Sequence, residues 1–310
     1  MFSVLTEPNY PKAAIGLERE AVTALALQKE GRGQFGIKQA ATIELPANLL
    51  TPSFVERNIA SSEELRVLLE EAVVSAGLAN LKNWSVSLPS NTARTAILTL
   101  DNATTGKGET EEVLDWKAEQ SFGAPSGELR ITRQKISNDR EGRSRYFASA
   151  VKLSVIDEYE TIFESLGWTA GLILPRAVSE TKWLMGNSRT DSLLLSSQTD
   201  GFTALLLRGD EPAVIRTVTC KKNERDDEIY RLLMFYNDRF ADPNSGGLLE
   251  TLLVVGKDML PAKIKDISTE ALGRALRVLR AEDVGLNVPV GSLSFDDLAA
   301  PAGLASYGWR

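Results

Sequence analysis

The sequence predicts an α/β protein with an internally duplicated core and a small α+β domain inserted in the first copy. Three observations carry this reading. Three strand-like segments, a helix and a further strand occur once before residue 90 and again after residue 190. The stretch between them, 92–168, follows a different order. The composition is 43% hydrophobic and 25% charged over 310 residues, which suits a folded chain long enough for two domains.

In the first copy, Ala13 to Leu17 and Ala21 to Gln28 are apolar runs joined by the polar turn Glu18-Arg19-Glu20. Gly31 and Gly33 mark a turn before a third run, Phe35 to Leu45, which Pro46 ends. A helix follows. Ser61 and Glu64 form a capping box, Leu65, Leu68, Leu69, Ala72, Val73 and Ala76 share one face, and Gly77 sits at the C-terminus. Trp84 to Leu88 then reads as a strand stopped by Pro89.

The second copy begins with Ser192 to Ser197, Phe202 to Arg208 and Ala213 to Thr219. Its helix carries Asp226, Asp227 and Glu228 in the first turn, where the macrodipole favours acids. Ile229, Leu232, Leu233, Tyr236 and Phe240 form the expected buried face. Thr251 to Val255 is a buried strand ending at Gly256, and a last helix is expected over Ser268 to Arg280. The loop Asp242 to Gly247 is expected at the tip of this domain.

Between the copies, Thr92 to Leu100 reads as a strand and Glu111 to Phe122 as a helix anchored by Val113, Leu114 and Trp116. Glu128 to Ile136 and Arg145 to Val151 form a hairpin. A helix from Ser154 buries Val155, Tyr159, Ile162, Phe163 and Leu166 before Gly167 ends it. Leu172 to Pro175 returns to the first core. The expected partition is 1–91 with 169–190 as the first core, 92–168 as the inserted domain and 191–310 as the second core. Twice three strands, a helix and a strand suggests a duplicated ribonuclease-H-like core, the plan of actins, the Hsp70 ATPase and sugar kinases. Two unrelated α/β domains that each open with a meander would show the same pattern.

Composition narrows the chemistry. A net charge of −7 argues against nucleic acid as the main partner, since such binding draws on a net basic surface. Arg140 to Arg145 is the best local basic patch, although a solvated hairpin tip accounts for it. The chain has no histidine, which removes histidine acid–base catalysis, histidine triads and histidine metal sites together. Cys220 is the only cysteine, so no internal disulfide forms. Lys221 and Lys222 beside it would lower its pKa. No run approaches the roughly 18 apolar residues of a membrane span, and MFSVLTEPNYPK is not a secretory signal. A cytoplasmic location with no direct span is therefore expected. Acidic pairs such as Glu63-Glu64 and Glu111-Glu112 read as caps and solvated faces, so no catalytic residue and no metal site is assigned.

Several segments resemble the PilM-like proteins of type IV pilus assembly. They are Trp116-Lys117-Ala118-Glu119-Gln120-Ser121-Phe122, Ser87-Leu88-Pro89-Ser90, the helix Val155 to Leu166 with Gly167-Trp168, and Leu298-Ala299-Ala300-Pro301-Ala302-Gly303-Leu304-Ala305. The resemblance spreads over nearly the whole chain. It implies an actin-like fold, related to the cytoplasmic domain of the secretion protein GspL. It also implies a cytoplasmic adaptor, peripheral to the inner membrane through its partners. The implied main partner is a PilN-like single-span membrane protein, held by its short cytoplasmic tail in a groove between the first core and the inserted domain. A pilus motor ATPase is a further implied partner.

Actin-like proteins hold ATP and magnesium with two phosphate hairpins and an adenosine loop, whose turns need small residues so that N–H groups approach phosphate. PilM-like chains usually read Asp-Ile-Gly-Ser-Ser-Ser in the first hairpin. Here Ala14-Ile15-Gly16-Leu17-Glu18-Arg19-Glu20 stands there, with the metal-associated acid gone and two carboxylates added. The second hairpin is Leu195-Ser196-Ser197-Gln198-Thr199-Asp200-Gly201, and Thr219-Cys220-Lys221-Lys222 replaces a strand-ending glycine pair. The adenosine loop is reduced to Gly256-Lys257. Gly16, Ser197, Thr199, Asp200, Gly256 and Lys257 are thus the vestigial nucleotide residues, and neither ATP nor magnesium is expected as a cofactor. The competing expectation is an ATP-binding ATPase or kinase of the actin, Hsp70 and sugar-kinase superfamily with unusual phosphate loops.

Overall fold

The computed structural model describes residues 8–101, 106–186, 190–239, 248–289, 291 and 293–309. The chain forms two compact units: Met1–Ser90 with Asp157–Trp183 and Ala281–Arg310, and Asn91–Ile156 with Leu184–Arg280.

The first unit is built on β1 (Ala13–Leu17), β2 (Ala21–Gly31), β3 (Gln34–Glu44), β4 (Asn83–Leu88), β8 (Thr169–Pro175) and the short β14 (Leu286–Asn287). The sheet runs β14-β3-β2-β1-β4-β8. β1 pairs antiparallel with β2 and parallel with β4, and β4 pairs parallel with β8. β1 is buried along its whole length because both faces are covered, which is why AAIGL shows no alternation. Helix α1 (Ser62–Ser75) crosses from β3 to β4; the Ser61 side chain accepts the Glu64 N–H, and Leu65, Leu69, Ala72 and Val73 are buried. Gly77 follows at φ 72°, a conformation that costs glycine nothing.

The second unit repeats this plan. Its strands are β9 (Asp191–Gln198), β10 (Gly201–Arg208), β11 (Glu211–Thr219), β12 (Leu249–Val255) and β13 (Arg277–Val278), in the order β11-β10-β9-β12-β13. β9 and β10 are antiparallel, β12 is parallel to β9, and β13 is parallel to β12. The order third-second-first-fourth-fifth with the same senses appears in both units, so the core is duplicated. Helix α5 (Arg225–Arg239) takes the place of α1 and buries Ile229, Leu232, Leu233 and Tyr236. Phe240 and the loop 242–247 lie outside the described residues.

The inserted segment forms a three-stranded sheet, β5-β7-β6, from β5 (Arg94–Thr99), β6 (Leu129–Ile136) and β7 (Arg145–Lys152), with α2 (Lys107–Phe122). It belongs to the second compact unit. Helix α3 (Leu153–Ser165) then carries the chain into the first.

Three expectations are corrected. The last helix of the second core is α6, Pro261–Leu272, not 268–280. Proline suits the first helical turn, and Gly273 at φ 66° ends the helix, so Leu276 and Leu279 are buried outside it. Trp116 is not an anchor: it is 58% exposed, while Leu114, Ala118 and Phe122 bury the apolar face of α2. Finally, the second core does not run to the C-terminus. Helix α7 (Phe295–Ser306) packs on β1, β2 and β4 of the first unit.

The segment after β8 also holds a short helix that periodicity did not mark, α4 (Arg176–Glu180), and a 3-10 turn over Thr181–Leu184. α7 is buried almost throughout and carries Pro301 inside it. A proline there removes a helical hydrogen bond, and the small residues around it let the helix lie close to the sheet.

Candidate functional site

In the first unit, β1 ends at Leu17 and the Glu18 N–H donates to the Ala21 carbonyl at 2.9 Å, closing the turn into β2. Gly16 sits within β1 and faces α7. A Cβ placed on it would come within 2.9 Å of the Pro301 ring, so its lack of a side chain is used to seat a helix. Glu18 meets Arg176 of α4: Nη1 lies 3.0 Å from the Glu18 carboxylate, and Nε donates to Glu180 at 2.7 Å. Glu180 is fully buried. Burial pushes the Glu18 carboxyl up to about 7; Arg176 opposes this, while Glu180 and Asp297 reinforce it. Two carboxylates on one guanidinium, with a third acid nearby, leave the cluster with surplus negative charge.

In the second unit, β9 and β10 join through Thr199 and Asp200, both exposed, and the Asp200 carbonyl accepts the Cys220 N–H at 3.0 Å. Gly256 follows β12 at φ 137°, and a Cβ on it would fall 2.2 Å from that of Ser197. The two strand ends can approach this closely only through glycine. Beside them lie two residues that pattern reading missed. Asp258 accepts from the Ser197 hydroxyl and from Arg225 Nη1, the latter at 2.6 Å. Arg225 Nη2 donates to the Gln198 carbonyl at 3.1 Å. Burial opposes ionisation of Asp258, but the hydrogen bonds from Ser197 and Arg225 and the guanidinium charge outweigh it, holding the carboxyl below its usual range.

Of the six residues expected from sequence, the structure brings Ser197 and Gly256 together. Thr199, Asp200 and Lys257 are exposed, and Gly16 belongs to the other unit. Arg225 escaped notice because the acids after it dominate the helix start. A buried cation in a helix's first turn opposes the macrodipole and implies a carboxylate partner, but sequence does not say which one. Cys220 is also corrected. Burial pushes its thiol up, and Arg225, not the neighbouring lysines, is the cation that opposes this. Among the described residues, no three Cys, Asp or Glu side chains are grouped to hold a metal ion, and no helix is long and apolar enough to cross a membrane.

Two ribonuclease-H-like sheets that share the order third-second-first-fourth-fifth, with an α+β insertion after the fourth strand of the first, define an actin-like fold. Among solved structures the chain is similar to one in a PilM-PilN type IV pilus biogenesis complex. The TM-score is 0.76 at 16% identity, over 98% of this chain and 100% of that one. It is more distantly similar to the cytoplasmic domain of EpsL, an inner-membrane component of the type II secretion system of Vibrio cholerae, with TM-score 0.49 and 10% identity over 96% and 93% of the two chains. A Bacteroides thetaiotaomicron protein with an actin-like ATPase fold gives TM-score 0.46 and 11% identity over 96% and 98%. No protein-family model and no curated protein matches the chain.

Proposed function

We infer that this protein is a cytoplasmic actin-like adaptor of a type IV pilus or type II secretion assembly platform. It binds the cytoplasmic tail of a PilN-like single-span membrane protein and works without nucleotide turnover. The observation that carries this is the full-length likeness to the PilM-PilN complex chain, which includes the inserted domain as well as the duplicated core. Attachment to the membrane then comes through the partner, since no described helix can span one.

The side chains at the two hairpins support the absence of turnover. Where a metal–triphosphate would need small residues and open N–H groups, the first hairpin presents Glu18 beside Glu180, with Arg176 already engaged by both. A triphosphate brought there meets like charge. In the second, Asp258 binds Ser197 and Arg225 internally, so the hydroxyl and the guanidinium are committed to a protein carboxylate. These residues do not fit ATP with magnesium.

Isothermal calorimetry tests both halves of the reading. A synthetic cytoplasmic N-terminal tail of a PilN-like single-span protein is expected to bind saturably, at about micromolar Kd. Mg-ATP is expected to give no saturable heat and no phosphate release. Saturable ATP binding with hydrolysis, and no tail binding, would instead establish an enzyme of the actin or sugar-kinase type.

A further inference from the structure

The second unit carries an arginine-lined groove that the adaptor reading does not use. It has a volume of about 530 Å³ and lies between the β6–β7 hairpin tip, the β10–β11 turn and the end of α5. Arg140, Arg143, Arg145, Arg208 and Arg239 line it, in a chain whose net charge is −7. Three carboxylates share the lining: Asp139, Glu141 and Glu211.

The floor of the groove is fixed by buried or backbone partners. Arg208 donates through Nε and Nη2 to Asp191, at 3.2 and 2.9 Å, and Asp191 is buried and also accepts from Tyr236 at 3.1 Å. Arg145 donates to the Ala213 carbonyl at 2.9 Å. Glu211 accepts the Ser137 N–H at 2.8 Å, tying the hairpin to the β10–β11 turn. Arg143 is held by Asp139, whose carboxylate also accepts the Arg143 and Glu141 N–H groups. Arg140 and Arg239 stand exposed at the rim.

We propose that this groove docks a short acidic segment of a partner protein, its carboxylates reading the guanidinium groups of Arg140, Arg145 and Arg239. Guanidinium matches carboxylate in a two-pronged geometry, and Arg145, already held by the Ala213 carbonyl, loses little freedom on binding. The volume suits a short peptide stretch. The lining acids and the overall negative charge disfavour a long polyphosphate track, so a peptide fits better than a nucleic acid. The groove lies wholly within one compact unit and does not depend on the membrane-tail reading.

Fluorescence anisotropy with the full chain and a labelled deca-glutamate peptide tests this. Binding is expected at about 50 mM salt and should weaken severalfold at about 300 mM, because the screening length shortens. It should not change between about pH 6 and 9, where arginine stays charged. Arg140→Glu with Arg239→Glu should weaken binding about tenfold or more, as attraction becomes repulsion. Arg140→Ala with Arg239→Ala should give a smaller loss, and the exposed Arg32→Glu in the other unit none. No binding at low salt, equal loss from Arg32→Glu, or tighter binding of a ten-nucleotide single strand would each overturn the proposal.

Discussion

The indole N–H of Trp183 donates to the Ala299 carbonyl at 2.7 Å, joining the turn after β8 to helix α7 across 116 residues. Nearby, Gly303 of α7 lies so close to α4 that a Cβ on it would fall 2.3 Å from the Ser179 carbonyl oxygen. This hydrogen bond and this glycine contact add to the packing of α7 on β1, β2 and β4 in holding the helix to the first unit. Gly303→Ala must push a backbone oxygen aside and is expected to cost about 2 kcal/mol or more. Trp183→Phe keeps most of the packing but loses a buried hydrogen bond, at about 1 kcal/mol. Urea unfolding of each variant measures both.

Glu18 predicts a pH dependence. Below its ordinary value of 4.5 it holds its proton in both folded and unfolded chains. Between there and about 7, the folded state keeps a proton that the unfolded chain has released, so rising pH lowers stability. With the side chain 30% exposed, the loss is expected to be about 2 kcal/mol, complete above about pH 7. Glu18→Gln should flatten that part of the stability curve. Parallel curves for variant and parent would show that Glu18 does not titrate there.

Arg225 and Asp258 predict an asymmetric pair. Arg225→Ala leaves Asp258 with only the Ser197 hydroxyl of these two donors and takes the guanidinium from the Gln198 carbonyl, and should cost about 2–3 kcal/mol, reduced because Asp258 is one-third exposed. Asp258→Ala strands a nearly buried guanidinium and should cost at least as much. Replacing both should cost less than the sum of the single changes. Thermal melting of the full double-mutant cycle gives the coupling.

Helix α2 offers a contrast between two neighbours. Leu114→Ala removes a buried side chain and should cost about 2–4 kcal/mol. Trp116→Ala, on the exposed side, should stay within about 0.5 kcal/mol of the parent. Equal losses would mean that the tryptophan is covered in solution.

Much of this architecture was legible in the residues. The capping box at Ser61, the glycines at 77 and 167, and the buried runs of β9 and β12 act through local chemistry and periodicity, and each element stands where those signals put it. That the two runs of elements form the same sheet twice is decided only by strand pairing, since two unrelated α/β domains opening with a meander show the same sequence pattern. The last helix departs from the sequence reading, although Pro261 and Gly273 carry its boundaries, because Leu272, Ala275, Leu276 and Leu279 imitate a helical face beyond Gly273.

The residues alone mark the strands and helices of both α/β halves, the inserted hairpin and the carboxylates that replace small residues in the first hairpin. The shared strand order that makes the halves one plan repeated is seen only in the folded chain. Tertiary structure alone decided that α7 returns to the first sheet, that Gly16 makes room for Pro301, and that Arg176 and Arg225 close onto Glu18 and Asp258. The physical reason is range. Caps, turns and amphipathic faces act between residues a few positions apart. Which buried cation meets which carboxylate depends on backbones brought together from distant parts of the chain.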